Sequence, residues 1–150
     1  MSRDPKKLRV FQISDDLVLQ VYRLTSGFPA EERFGLRSQL RRAAVSVPAN
    51  LVEGCTRPGA PAFRAFLDIA LGSASETRYL LDLATRLGLV APEQARSLIQ
   101  GYEGLIRSLQ ALRTKDVARE AGRLSDRQRP DDQNIKTQPG RIALSDPPTI

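Results

Sequence analysis

Apolar residues step by three and four through this chain, in runs interrupted by glycine and proline. That spacing confines it to packed helices. Val10, Ile13, Leu17, Val21, Leu24 and Phe28 form one stripe, the repeat of a helix that buries a single face. It predicts a first helix over 8–26, stopped by Gly27 and Pro29. Ser14, Asp15 and Asp16 offer an alternative cap for a start near residue 15. A second helix is expected from Ala30 to Gly54, because Pro29-Ala-Glu-Glu puts proline at the start and acids at the positive end of the helix dipole. The link CTRPGAP, with its prolines and glycine, reads as a loop. A third helix follows over 61–87, with Phe63, Phe66, Leu67, Ala70, Ala74, Thr77, Leu81 and Ala84 on one face and Gly88 as its C-terminal cap. The fourth covers 92–114, where Leu98, Tyr102, Leu105, Leu109 and Leu112 carry the stripe. Beside them runs a row of mostly small residues, Ser97, Gly101, Gly104, Ser108 and Ala111. Its interior glycines cost about 1 kcal/mol each relative to Ala. Either a closely packed neighbour offsets that cost or the last helix frays.

Residues 115–150 change character, with four prolines, many polar residues and little apolar periodicity. They read as a tail that does not fold by itself, after helix 4 extends a turn or two. Seven basic residues there face six acidic ones, so most of the net charge of +6 lies in the body of the chain. The expectation is an all-α protein: an antiparallel up-down four-helix bundle over 1–115 and a disordered C-terminal tail over 116–150. Aromatics are 5% and there is no Trp, so the core must be aliphatic.

The second helix carries the densest information. On a helical wheel Leu36, Leu40, Ala43, Ala44, Val47 and Leu51 share the core face. Phe34, Val45 and Val52 form a second apolar strip, which suits a homo-oligomer contact, with scattered surface apolars as the alternative. Gln39, Arg42, Ser46, Asn50 and Glu53 make a polar seam on the remaining side, and Glu76 on the third helix suits Arg42 as a partner. If exposed, such a seam is simply the solvated face; if buried, it must be a satisfied hydrogen-bond network. Pro48 has no N–H to give the Ala44 carbonyl, so the helix kinks there, or it stops and Ser46 caps a new segment.

The run FPAEERFGLRSQLRRAAVSVPANLVEG, followed by FRAFLDIALGSASE, resembles the four-helix bundle protein family first known from intervening sequences in bacterial large-subunit rRNA genes. Tyr22, Leu24, Thr25, the QLRRAA run, Ser46, Asn50, Glu53, Gly54 and the GS..E run ending at Glu76 match that family's pattern, over about residues 10–112. The chain departs from it at Phe11, where Trp is frequent, in the PGAP loop and in the long tail. The resemblance implies a bundle that assembles into a ring-like homopentamer. The family is similar to the accessory protein of diversity-generating retroelements, which works beside a reverse transcriptase and its RNA.

The absence of His removes the Ser-His-Asp and Cys-His catalytic constellations and the usual zinc sites. Cys55 is the one cysteine, so no internal disulfide forms. No Gly-rich phosphate loop or cofactor motif is present. Within the seam Glu53 is the one group suited to acid–base work, so no catalytic residue, metal or cofactor is assigned. No apolar run reaches a membrane-spanning length and the N-terminus lacks a signal-peptide core, so a cytoplasmic protein without membrane contact is expected.

A pI near 10.1 favours acidic partners. Arg far outnumbers Lys, which suits phosphate contacts, although a GC-rich genome gives the same bias. Arg33, Arg37 and Arg41 are spaced i, i+4, i+8 with Arg42 beside them and no acid between 33 and 42. The expectation is nucleic-acid binding, RNA above all, through Arg33, Arg37, Arg41 and Arg42. No aromatic residue is read among these arginines for base stacking. Two other readings stand beside it: Arg41 and Arg42 pair with Glu53, Glu76 or a neighbouring subunit, or the oligomer is a scaffold for a protein partner such as a reverse transcriptase.

Overall fold

The computed structural model describes residues 3–127. Four α-helices follow in order: α1 Arg9–Thr25, α2 Leu36–Thr56, α3 Ala60–Arg86 and α4 Pro92–Arg127, with 3-10 turns at Pro5–Lys7 and Ala30–Glu32. Each helix packs on its sequence neighbours and α1 closes against α4, so α1 and α3 are diagonal, as are α2 and α4. This is the up-down bundle that short connections dictate. Its core is aliphatic, with Leu40, Val47, Leu51, Leu81 and Leu105 sealed around the rings of Tyr102 and Phe63.

The buried column of α1 is Val10, Ser14, Leu17, Val21 and Thr25, rotated from the stripe read in the sequence. Ile13 and Leu24 pack on its flank. Ser14 is therefore no cap. Its hydroxyl donates to the Phe11 carbonyl (2.9 Å), and that of Thr25 donates to Val21 O (2.8 Å). Back-bonding to the preceding turn satisfies both buried hydroxyls.

The second helix starts six residues later than expected. Ala30–Glu32 forms a separate turn, and α2 begins at Leu36 after Gly35 leaves helical geometry. Glu32 reaches across that break, and its Oε2 accepts from the Leu36 N–H at 2.9 Å. The acid sits at the positive helix end as electrostatics favours, but from outside the helix. Pro48 is buried and α2 runs through it as one helix, so the stop is not taken. The Asn50 amide brackets the proline by donating to the Ser46 carbonyl (2.7 Å). Gly54 does not close α2, which continues to Thr56. Gly88 does end α3, with φ of 75° and N–H bonds from Gly88 to Thr85 O and from Leu89 to Ala84 O, each 3.0 Å.

The fourth helix is not frayed. A Cβ on Gly101 would lie 2.7 Å from Leu17 Cδ2, so this glycine admits α1 closely. The helix also continues to Arg127, which moves the boundary expected at 116; the rest of the proposed tail, 128–150, lies outside the described residues. Ion pairs, which apolar spacing does not register, clamp the start of this extension. Asp116, only 7% exposed, accepts from Arg3 (3.1 Å) and Arg64 (3.5 Å), and Arg64 also pairs with Glu120. Arg3 lies 4.0 Å from the Phe63 ring centroid, and its backbone N–H donates to Cys55 O (3.1 Å). Asp116→Ala is expected to lower stability by about 1–2 kcal/mol, since Arg3 and Arg64 are partly solvated and Arg64 keeps Glu120. Hydrogen exchange should accelerate over 114–127 more than in α2; uniform acceleration would show that α4 is not locally clamped.

Candidate nucleic-acid interface

Where α1 ends and α2 begins, the chain folds its basic residues around one shallow depression. Arg33, Arg37, Arg41 and Arg42 line it with Tyr22, Phe34 and Ser38, in a volume of about 400 Å³. Arg33 belongs to the turn before α2, so the expected i, i+4, i+8 helical line is broken at its first member. The turn nonetheless brings Arg33 to the same hollow. Among the described residues, no carboxylate lines it.

The four arginines differ in what holds them. Arg41 is anchored: its Nε donates to Thr25 Oγ1 (2.7 Å), its Nη2 to the Tyr22 carbonyl (3.2 Å), and its guanidinium lies 4.3 Å from the Tyr22 ring centroid. A cation is favourable there, because α1 presents the negative end of its dipole. Arg33 lies 5.3 Å from the Phe34 ring centroid, at the surface. Arg37 and Arg42 have no hydrogen bond or ion pair with another described residue. Pairing of Arg41 or Arg42 with Glu53 or Glu76 within the subunit is therefore not found. Glu76 instead accepts from Gln39 (3.4 Å), and Glu53 pairs with Arg57 one turn on.

Aromatic residues do accompany the arginines, contrary to the reading of the sequence. Phe34 is 89% exposed and Tyr22 is 41% exposed. Phe34 stands next to Arg33 in the chain and was legible there. Its placement in the apolar strip with Val45 and Val52 hid it, and that strip is split because Phe34 precedes α2. Tyr22 comes from another helix, and no local pattern signals its arrival.

The polar seam lies along the α2–α3 groove, which shares Phe34, Ser38 and Arg42 with the basic depression. Asn50 Nδ2 donates to Ser46 Oγ (3.0 Å), and Ser46 and Ser73 share a 2.8 Å hydroxyl–hydroxyl bond across the two helices. Gln39 to Glu76 makes a second crossing. Arg42 and Glu53 stand outside this network. Among the described residues these hydroxyls bond to each other and to an amide, and no carboxylate bonds to either of them.

Cys55 is buried, and burial pushes its thiol pKa up while the Arg3 guanidinium pulls it down. The outcome is a protonated, shielded sulfur rather than a nucleophile. The Tyr102 phenol is likewise held neutral by burial in the core. Among the described residues, no group of His, Cys, Asp and Glu is placed to hold a metal, and no helix is long and apolar enough to cross a membrane.

A family model described as 23S rRNA-intervening sequence protein matches residues 6–111. A crystal structure of a protein of unknown function from the S23 ribosomal protein family of Bacteroides thetaiotaomicron is similar, with 24% sequence identity and a TM-score of 0.62. The similarity covers 69% of this chain and 96% of that one, and at this identity it shows the fold alone. No curated protein matches the chain. The matched region contains the basic depression and the seam and ends inside α4.

Proposed function

The chain belongs to the 23S rRNA-intervening sequence protein family, and from that premise we propose that it is a non-enzymatic, oligomeric accessory protein that binds RNA through the depression between α1 and α2. One observation carries the reading: among the described residues Arg37 and Arg42 have no partner, beside Arg33 and an anchored Arg41, and no carboxylate lines their hollow. Unneutralised guanidinia at the surface are suited to phosphate oxygens. Binding of this kind is salt-sensitive and weakly sequence-specific.

Val45 and Val52, exposed on α2, would supply an apolar contact for a second copy, and a ring of five is the assembly that the family resemblance implies. Repetition around a ring multiplies the positive surface and raises avidity for a polymer. The protein acts in the cytoplasm, where its RNA is. The same exposed valines also favour a second reading, a scaffold for a protein partner such as a reverse transcriptase, with no intrinsic RNA affinity.

Titration of a labelled structured RNA with purified protein, across about 50–200 mM salt, separates the two. Submicromolar binding at low salt that weakens steeply as salt rises is the expected result. No binding at low salt, where charge attraction is strongest, would sink the RNA reading and leave the scaffold. Light scattering on the same sample reports the subunit number.

A further inference from the structure

We propose that the depression accepts a single-stranded segment, with one unpaired base stacked on the ring of Phe34, in preference to a duplex. This rests on the RNA-binding reading above and names the form of nucleic acid it takes. Phe34 is the most exposed large apolar side chain of the described residues, at 89%. The core row of α2 starts only at Leu36, two residues on, so the ring takes no part in the core. It stands on the turn between Ala30–Glu32 and α2, among Arg33, Arg37 and Arg42.

An aromatic ring in water beside several guanidinia has a chemistry of its own. Bases carry a π-face that any aromatic ring can stack, and the phosphates on either side of a stacked base need cations. A base within a duplex is already stacked on both faces and cannot meet the ring without being extruded. A duplex would therefore use only the arginines. A single strand, a loop or a bulge would use the arginines and Phe34 together. An acidic protein segment would satisfy the charges but gives no reason for a base-sized platform beside them.

The chain has no Trp, so Phe34→Trp installs a single tryptophan at the platform, whose emission is read with excitation that spares the tyrosines. Binding of a single-stranded RNA of about 12 nucleotides and of the matching duplex would be measured for wild type, Phe34→Ala, Phe34→Leu and Phe34→Trp. Phe34→Ala is expected to weaken the single strand about tenfold and the duplex less than about twofold. Phe34→Leu should not restore the loss, because it is apolar without a π-face. Phe34→Trp should restore it, and its emission should be quenched on single-strand binding and not by the duplex. Equal losses on both forms, unquenched emission at saturation, or a changed oligomeric mass in Phe34→Ala would overturn the proposal, the last by making Phe34 a subunit contact. If wild type binds the duplex as well as the single strand, this inference fails and the RNA-binding reading stands. If wild type binds neither, both fail.

Discussion

Replacing Arg33, Arg37 and Arg42 together with Ala is expected to weaken RNA binding about 100-fold or more at about 50 mM salt. The choice follows from how each side chain is held. Arg37 and Arg42 bond to no other described residue, and Arg33 only leans on an exposed ring. Their removal therefore costs the fold little, and thermal stability and oligomeric mass should stay as in wild type. Arg41 is kept, because it ties α2 to the end of α1 through Thr25 and Tyr22. Substituting it would confuse loss of charge with loss of structure. The same titrations also give the salt slope. Each single-strand phosphate that a guanidinium neutralises adds about 0.7 to the steepness of log K against log salt. A variant without the three guanidinia should therefore show a slope shallower by about 2 per site. An affinity drop with an unchanged slope would mean that the arginines position something else. An affinity within about threefold of wild type would place the RNA surface elsewhere.

The bundle was legible because its core is periodic. Leu36, Leu40, Ala43, Ala44, Val47 and Leu51 are all buried, as the helical wheel requires. Helix ends were less legible, because they depend on single local bonds. The Glu32 carboxylate capping Leu36 sets the start of α2, and proline followed by acids reads equally well as a helical first turn. The full length of α4, beyond the extra turn or two expected, was hidden for another reason. Arg3 and Asp116 are far apart in sequence and meet only after folding, so neither apolar period nor local composition announces their pair.

The arginines of the candidate site were legible as a cluster, while their differences were not. Spacing alone makes Arg37 and Arg41 equivalent. The fold separates them, since Arg37 has no partner among the described residues and Arg41 is spent on α1. The expected partner of Arg42 failed because Gln39, one turn earlier on α2, takes Glu76. Helical spacing narrows such a choice to neighbouring turns and does not make it.

Gly54→Ala is expected to destabilise the protein by about 2 kcal/mol, and to lower Tm by about 8 °C, although Ala is the better helix former by about 1 kcal/mol. Gly54 is buried in the last turns of α2, where that helix crosses α3. A Cβ there would lie 2.9 Å from Phe66 Cβ, 3.4 Å from Phe63 Cδ2 and 3.5 Å from Phe63 O. Phe66 Cβ is one bond from the α3 backbone, so no rotamer change can withdraw it. Phe63 is 2% exposed and covered by Arg3, so it has no room to yield. Relief requires α2 and α3 to move apart, which loosens the packing of Leu51 and Leu67 in the core. Gly72 on α3 is the control, since a Cβ there would meet nothing within 4 Å. Gly72→Ala should stabilise by about 0.5–1 kcal/mol through helix propensity. Opposite signs for the two substitutions in urea denaturation would establish that close approach of α2 and α3, rather than helix termination, requires glycine at 54. A Gly54→Ala protein as stable as wild type would mean that the helices stand further apart there than 2.9 Å allows.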